Sequence, residues 1–153
     1  MSKVVINSFE DFQQYVGQEL GVSDYVELDQ ERINLFADAT MDHQWIHVDA
    51  EKAKQESPFG QTIAHGYLTL SMLPYLWDQI IEVNNLERMM NYGMDAMKFA
   101  QPVLSGQHIC MKTKLQAAEI CLNAGVQMAI ALGEDPKVIH RIIDGEDEGT
   151  LFG

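Results

Sequence analysis

The chain has few cysteines, which cross-link small extracellular domains, and few basic residues, which bind polyanions. Its 153 residues include only two cysteines, and 10 lysines and arginines stand against 23 acidic residues. Cys110 and Cys121 have no CxxC spacing, so they offer neither a disulfide framework nor a thiolate zinc site. The net charge of -13 disfavours nucleic acid and anionic lipid, because both bind positively charged surfaces. We therefore expect neither as a partner.

A long uninterrupted apolar run is also lacking. The longest candidate, residues 63–83, contains His65, Pro74 and Asp78. Such interruptions indicate a helix buried in protein rather than in lipid. The first seven residues, MSKVVIN, show no secretory signal. These features predict a cytoplasmic protein without a membrane span.

The length and the 46% apolar content suit one domain with a substantial core. No repeat or Pro/Ser-rich linker divides the chain. The last residues include the acidic run DGEDEG at 144–149, which is typical of a solvated tail. We predict one domain over residues 1–143 and an acidic tail over residues 144–153.

The first half of the sequence predicts short helices with polar N-caps. Ser8, Asp29 and Asp49 each precede an amphipathic stretch, and the predicted helices end near residues 17, 38 and 55. Residues 25–28 are a short strand candidate, and residues 40–49 are predicted to be a loop.

The second half changes from helical to strand periodicity. Residues 66–83 are apolar on nearly every face, which predicts one helix buried all round, with a break or kink at Pro74. Residues 108–115 and 126–132 alternate as strands do. Residues 123–125 suit a hairpin turn and 137–143 a last strand. The pattern predicts an α+β fold with a helix packed on an antiparallel sheet.

The reactive side chains are concentrated in FADATMDHQWIHVD at 36–49 and IAHG at 63–66. Asp42 is a carboxylate, His47 has an ordinary pKa near ~6.5 that suits a general base, and Gly66 opens a helix whose N–H groups attract anions. These groups suit proton transfer beside a thioester carbonyl. Each also has a structural alternative: a turn for Asp42, a core position for His47 and close packing for Gly66.

Asp42, His43, His47 and His65 also allow a metal site to be drawn. His43 and His47 have the i, i+4 spacing of helix-borne ligands. The residues around Trp45 do not suggest a helix, however, and no glutamate follows the first histidine as in the zinc-protease motif. We therefore expect no metal, with His43 lining the pocket and His65 hydrogen-bonding at the helix start.

The DHQWIHVD segment and the following AHG resemble the signature of MaoC-like dehydratases, also called (R)-specific enoyl-CoA hydratases, and especially their nodulation-protein-N-like branch. The resemblance extends over about residues 8–106. It implies a hot-dog fold, in which an antiparallel sheet wraps around a long central helix, and a homodimer. It also implies that Asp42 and His47 are catalytic, that Gly66 donates to an oxyanion and that Lys98 contacts a coenzyme A phosphate.

The reaction implied is reversible addition of water to a trans-2-enoyl thioester of coenzyme A or an acyl carrier, within fatty acid metabolism and without a cofactor. A hot-dog acyl-CoA thioesterase and a non-catalytic acyl-thioester-binding protein remain alternatives. Met41 stands where the family carries glycine. It either strains a turn that needs a positive φ or fills an apolar gap.

Overall fold

Helices predominate between residues 9 and 80, and strands follow. The computed structural model describes residues 3–85, 94, 96–115, 126–132 and 150–152. Its elements are β1 (Val4–Ile6), α1 (Phe9–Gln14), β2 (Glu19–Val22), β3 (Val26–Leu28), α2 (Gln30–Thr40), α3 (Trp45–Val48), α4 (Ala50–Glu56), α5 (Gly66–Ser71), α6 (Leu73–Ile80), β4 (Ile81–Val83), β5 (Met97–Phe99), β6 (Gln107–Leu115), β7 (Val126–Leu132) and β8 (Thr150–Phe152).

The main sheet is antiparallel and has the strand order β2, β6, β7, β8, β5. Strand β3 pairs with β6 as well, over Val26–Leu28. The β6–β7 pairing runs from Ile109 opposite Leu132 to Leu115 opposite Val126. Strands β1 and β4 form a separate parallel pair. The predicted α+β architecture with an antiparallel sheet is therefore confirmed.

Helix α6 packs on the sheet through strands β2 and β6. Leu76, Ile109 and Met111 are fully buried in this layer, and each such side chain contributes about 1.5–3 kcal/mol of hydrophobic stabilisation. Gly21 in β2 has a φ of 150°, and a Cβ atom there would lie 3.1 Å from Cγ2 of Ile80. Glycine at this position lets the helix approach the strand closely.

The three predicted N-caps are confirmed. The side chains of Ser8, Asp29 and Asp49 each accept a hydrogen bond from the backbone N–H three residues later, at 3.3, 2.8 and 2.9 Å. Each bond satisfies one N–H group that the helix itself leaves unpaired. These caps fix where α1, α2 and α4 begin, and the α2 and α4 caps flank the segment that carries Asp42 and His47.

The single helix predicted over residues 66–83 is wrong. Helix α5 ends at Ser71, α6 begins at Leu73, and Ile81–Val83 is strand β4. Pro74 lies in the first turn of α6, where its missing N–H breaks no helical bond. The helices are also not buried all round. Their uncovered face consists of five exposed residues: Tyr67, Ser71, Pro74, Tyr75 and Asp78.

Two further expectations need correction. Residues 45–48 form the short helix α3 within the predicted loop. Thr150–Phe152, assigned to a solvated tail, forms strand β8 between β5 and β7, where it pairs with both neighbouring strands. The predicted turn at 123–125, the last strand at 137–143 and the acidic run at 144–149 lie outside the described residues. The division at residue 143 stays a prediction.

None of the helices in the described part of the chain is both long enough and apolar enough to cross a membrane.

Met41 ends helix α2 in the left-handed conformation, with φ 61° and ψ 18°. The expectation of a positive φ before Asp42 is therefore confirmed. The alternative, that Met41 fills an apolar gap, is wrong because the residue is 86% exposed. A side chain in this conformation costs about 1–2 kcal/mol, which glycine does not incur.

We predict that Met41→Gly stabilises the protein by about 1 kcal/mol, since glycine relieves the left-handed strain and leaves no cavity. Thermal melts of the two proteins measure the change. Ala39→Gly is the matched control: it is exposed within the same helix, so glycine there should destabilise by about 1 kcal/mol. A melting temperature lowered by Met41→Gly would contradict the prediction.

Candidate active site

A short extended stretch before α5, residues 62–65, joins the parts of the site; we call it the bridging segment. On one side the N–H of Ile63 donates to the carbonyl of Ile46 in α3, at 3.1 Å. On the other side the N–H of Ala64 donates to the carbonyl of Val103, at 2.7 Å. The carbonyl of Thr62 accepts from the N–H of Ser105, at 3.0 Å. The segment is thereby fixed between the short helix and the loop before β6.

His47 is oriented by the bridging segment. Its Nδ1 lies 2.8 Å from the carbonyl oxygen of Ile63. A carbonyl only accepts, so the neutral ring carries its proton on Nδ1 and has a lone pair on Nε2. Burial lowers the pKa of His47 below 6.5 and neighbouring His65 adds to this, against the opposing effects of the Ile63 bond and Asp42. The neutral, basic form is thus favoured at neutral pH.

Asp42 lies beside this ring, directly after the left-handed Met41. One side-chain atom from each of Asp42, His47 and His65 lies within 4.8 Å of the others. Asp42 is half-buried, with 42% of its side chain exposed, so its carboxylate borders both the protein and the solvent. The two residues predicted to be catalytic are therefore brought together.

His65 completes the group and is almost fully buried. The sequence predicted a hydrogen bond at the helix start. His65 is indeed the N-cap of α5, but its side chain does not cap the helix. Its Nε2 instead lies 3.0 Å from the backbone oxygen of Asp42. Its ring stacks on that of His47, with centroids 3.8 Å apart and planes at 25°.

Gln30 is a site residue that the sequence analysis missed. Its Nε2 donates to the backbone oxygen of His47 at 2.7 Å and to Asn34 at 2.8 Å. Its Oε1 accepts from the hydroxyl of Thr62. Gln30 thereby ties α2 to both α3 and the bridging segment. Nothing in the sequence marks this role, because the two partners that join it to the site, His47 and Thr62, are 17 and 32 residues away.

Gly66 begins α5 as predicted, so its N–H has no partner within the helix. A Cβ atom on Gly66 would lie 3.0 Å from the Phe99 ring. Close packing is therefore a second reason for glycine here. Lys98 is exposed in β5. Because neighbouring strand residues point to opposite faces, Lys98 faces away from the Phe99 contact.

His43 is separate from the group. It is exposed, and its Nε2 lies 2.8 Å from Oδ1 of Asp38. This hydrogen bond raises the pKa of His43 above 6.5. The end of α2 provides the partner of this exposed ring, and the placement of His43 in the pocket lining stays a prediction.

Asp42, His47 and His65 offer the ligand types of a metal site. Nδ1 of His47 and Nε2 of His65 are, however, already in contact with backbone carbonyls. The lone pair of an imidazole nitrogen lies in the plane of its ring, so the lone pairs of two nearly parallel stacked rings point along parallel planes. A tetrahedral metal site needs the lone pairs of its ligands to converge on one point. That the site works without a metal stays a prediction.

Comparison with known proteins decides the family. A family model described as MaoC like domain matches residues 11–132. The chain belongs to the MaoC-like family. It is 44% identical to 3-hydroxyacyl-thioester dehydratase Z of Mycobacterium tuberculosis over 115 residues, 75% of this chain and 76% of that protein. It is 47% identical to nodulation protein N of Rhizobium meliloti over 123 residues, 76% of each chain.

Solved structures of similar fold agree with this assignment. The (R)-hydratase from A. caviae aligns with a TM-score of 0.61 at 19% identity, covering 90% of this chain and 91% of that one. At this identity the likeness concerns the fold. Together with the family match it confirms the hot-dog architecture and the resemblance to MaoC-like dehydratases.

His47 and His43 should titrate on opposite sides of pH 6.5, because burial lowers the pKa of His47 and the bond to Asp38 raises the pKa of His43. Nuclear magnetic resonance of labelled histidine rings measures both pKa values in one sample. Asp42→Asn should lower the pKa of His47 further, since the carboxylate favours the charged ring. Asp38→Asn, the control, should lower the pKa of His43 instead. A His47 that titrates above His43 would contradict the assigned environments.

Proposed function

We propose that the chain is an (R)-specific 3-hydroxyacyl-thioester dehydratase that also works as an enoyl-thioester hydratase. The observation that carries the proposal is the hydrogen bond from His47 Nδ1 to Ile63, because it leaves Nε2 as a base beside Asp42. The family match and the 44% identity to a 3-hydroxyacyl-thioester dehydratase support it.

Hydration begins with a water molecule between His47 and Asp42. Nε2 of His47 takes one proton from the water, and the oxygen forms a bond to the β-carbon of a trans-2-enoyl thioester. The double-bond electrons move towards the carbonyl, and the proton that His47 took from the water passes to Asp42. Asp42 then gives this proton to the α-carbon, so the product has gained one water and both side chains have returned to their starting forms. Dehydration follows the same path in reverse.

Negative charge gathers on the thioester oxygen during this addition. The N–H of Gly66, unpaired within its helix, is the group that we assign to this oxygen. Donors placed in this way commonly stabilise a transition state by about 3–4 kcal/mol. The thioester itself acidifies the α-position, so the chain's own residues suffice and we assign no metal or redox cofactor to the reaction.

The substrate is assigned only by class, as an acyl thioester of coenzyme A or of an acyl carrier. Lys98 is exposed in β5, and we retain it as a contact for a coenzyme A phosphate. We place the reaction in fatty acid metabolism and in the cytoplasm. A thioesterase would release the free thiol of the carrier, and a binding protein would leave the substrate unchanged, so one assay separates all three functions.

We predict that Asp42→Asn and His47→Gln each reduce crotonyl-CoA hydration by about 10²- to 10⁴-fold, the usual contribution of a positioned acid or base. Loss of enoyl absorbance, measured in the presence of a strong chelator, reports the rate. Native circular dichroism must be retained by both variants.

His43→Gln is the matched control for these substitutions, because His43 is a neighbouring histidine paired with Asp38 away from the group. It should leave turnover unchanged. Wild-type turnover in Asp42→Asn or His47→Gln would refute their catalytic roles. A wild-type rate abolished by the chelator and restored by zinc would refute the metal-free reaction.

We also propose that the working unit is a homodimer. The uncovered face of α5 and α6 exposes two large aromatic side chains, with Tyr67 63% and Tyr75 58% exposed. A second copy that packs on this face would remove their rings from water. Light scattering should give twice the chain mass of 17.3 kDa. Tyr75→Glu should shift the mass towards the monomer, and a wild-type monomer at assay concentration would contradict the proposal.

A further inference from the structure

His65 has no part in the reaction described above, yet it touches both residues that do. Its ring contacts two others: it stacks on that of His47, with centroids 3.8 Å apart, and meets that of Phe36 at a tilt, with centroids 5.1 Å apart. Its Nε2 contacts the backbone oxygen of Asp42 at 3.0 Å. A single buried side chain thus contacts the ring of the base and the backbone of the acid.

The tautomer of His65 follows from these contacts. The backbone oxygen of Asp42 can only accept, so the neutral ring donates from Nε2 and carries a lone pair on Nδ1. Nδ1 is buried and has no hydrogen-bond partner within the described residues. The neutral tautomers of the two stacked rings are therefore opposite: His47 is protonated on Nδ1 and His65 on Nε2.

A residue that only fills space here would be apolar. Phenylalanine or leucine would fill the gap beside Phe36 without burying an unpaired nitrogen, which is unfavourable. Histidine adds one hydrogen-bond donor, Nε2–H, which is directed at the backbone oxygen of Asp42. The N-cap residue of α3 makes no side-chain cap bond that would hold the Asp42 turn. On its exposed side the turn is held by the bond between His43 and Asp38, and on its buried side by His65.

We propose that His65 is a positioning residue, which fixes the Asp42 turn through its Nε2–H group and holds the His47 ring by stacking. It does not contact substrate, because the ring is almost fully buried. The inference rests on the proposed function and deepens it. It adds a third side chain whose identity matters for turnover but not for substrate binding.

Three substitutions separate the donor from the bulk of the ring. The amide nitrogen of glutamine reaches about as far as Nε2, whereas that of asparagine reaches only as far as Nδ1. His65→Phe keeps an aromatic ring and removes the donor. We expect His65→Phe and His65→Asn to lower kcat by about 10²-fold with little change in KM, as misplacement of a catalytic group does. His65→Gln should recover at least about tenfold of that loss.

Wild-type kcat in His65→Phe would overturn the inference, as would equal losses in all three variants. A second measurement needs no variant. Nuclear magnetic resonance of the labelled wild-type rings should show the His65 proton on Nε2 and the His47 proton on Nδ1, and a His65 protonated on Nδ1 in its neutral form would overturn the proposed contact. A wild-type protein that does not hydrate crotonyl-CoA would refute the proposed function, while the ring measurement would still decide the role of His65.

Discussion

The hydrogen bond between Nδ1 of His47 and the carbonyl of Ile63 is the contact on which the site depends. It fixes which nitrogen is basic, and it joins helix α3 to the bridging segment. The segment leads directly into α5, which begins at Gly66. A rotation of the His47 ring would therefore displace the nitrogen that we propose as the base and separate it from the N–H that we assign to the substrate oxygen.

The fold makes this contact possible by fixing both partners independently. Asp49 caps α4, which immediately follows the short helix with His47. Gln30 holds the backbone of His47 from α2, and the loop before β6 holds the bridging segment through Val103. A four-residue helix would not persist alone, since short helices are marginal in water. Its order comes from these tertiary bonds.

Local chemistry made much of this molecule predictable. The N-caps, the strand alternation of β6 and β7, and the pairing of Asp42 with His47 follow from side-chain chemistry within a few residues and from a distinctive motif. Met41 is a similar case, because it stands where the family carries glycine, and a glycine position indicates a backbone with a positive φ.

Features that depend on distant partners were not predictable. Gln30 and His65 owe their roles to backbone atoms that are 17 and 23 positions away in the chain. The uncovered face of the helix pair was missed because Tyr67 and Tyr75 count as apolar residues in the sequence although both are exposed. Strand β8 was missed because three residues are too few to show a strand periodicity. The strand is held instead by its pairing with β5 and β7.

The central claim is that this site adds water to an enoyl thioester without breaking the thioester. The most direct test is incubation with crotonyl-CoA in water enriched in oxygen-18, followed by chiral separation and mass analysis of the product. The account predicts (R)-3-hydroxybutyryl-CoA with one heavy oxygen at the third carbon and no free coenzyme A. Free coenzyme A with label in the carboxylate, or recovery of unchanged substrate, would contradict it.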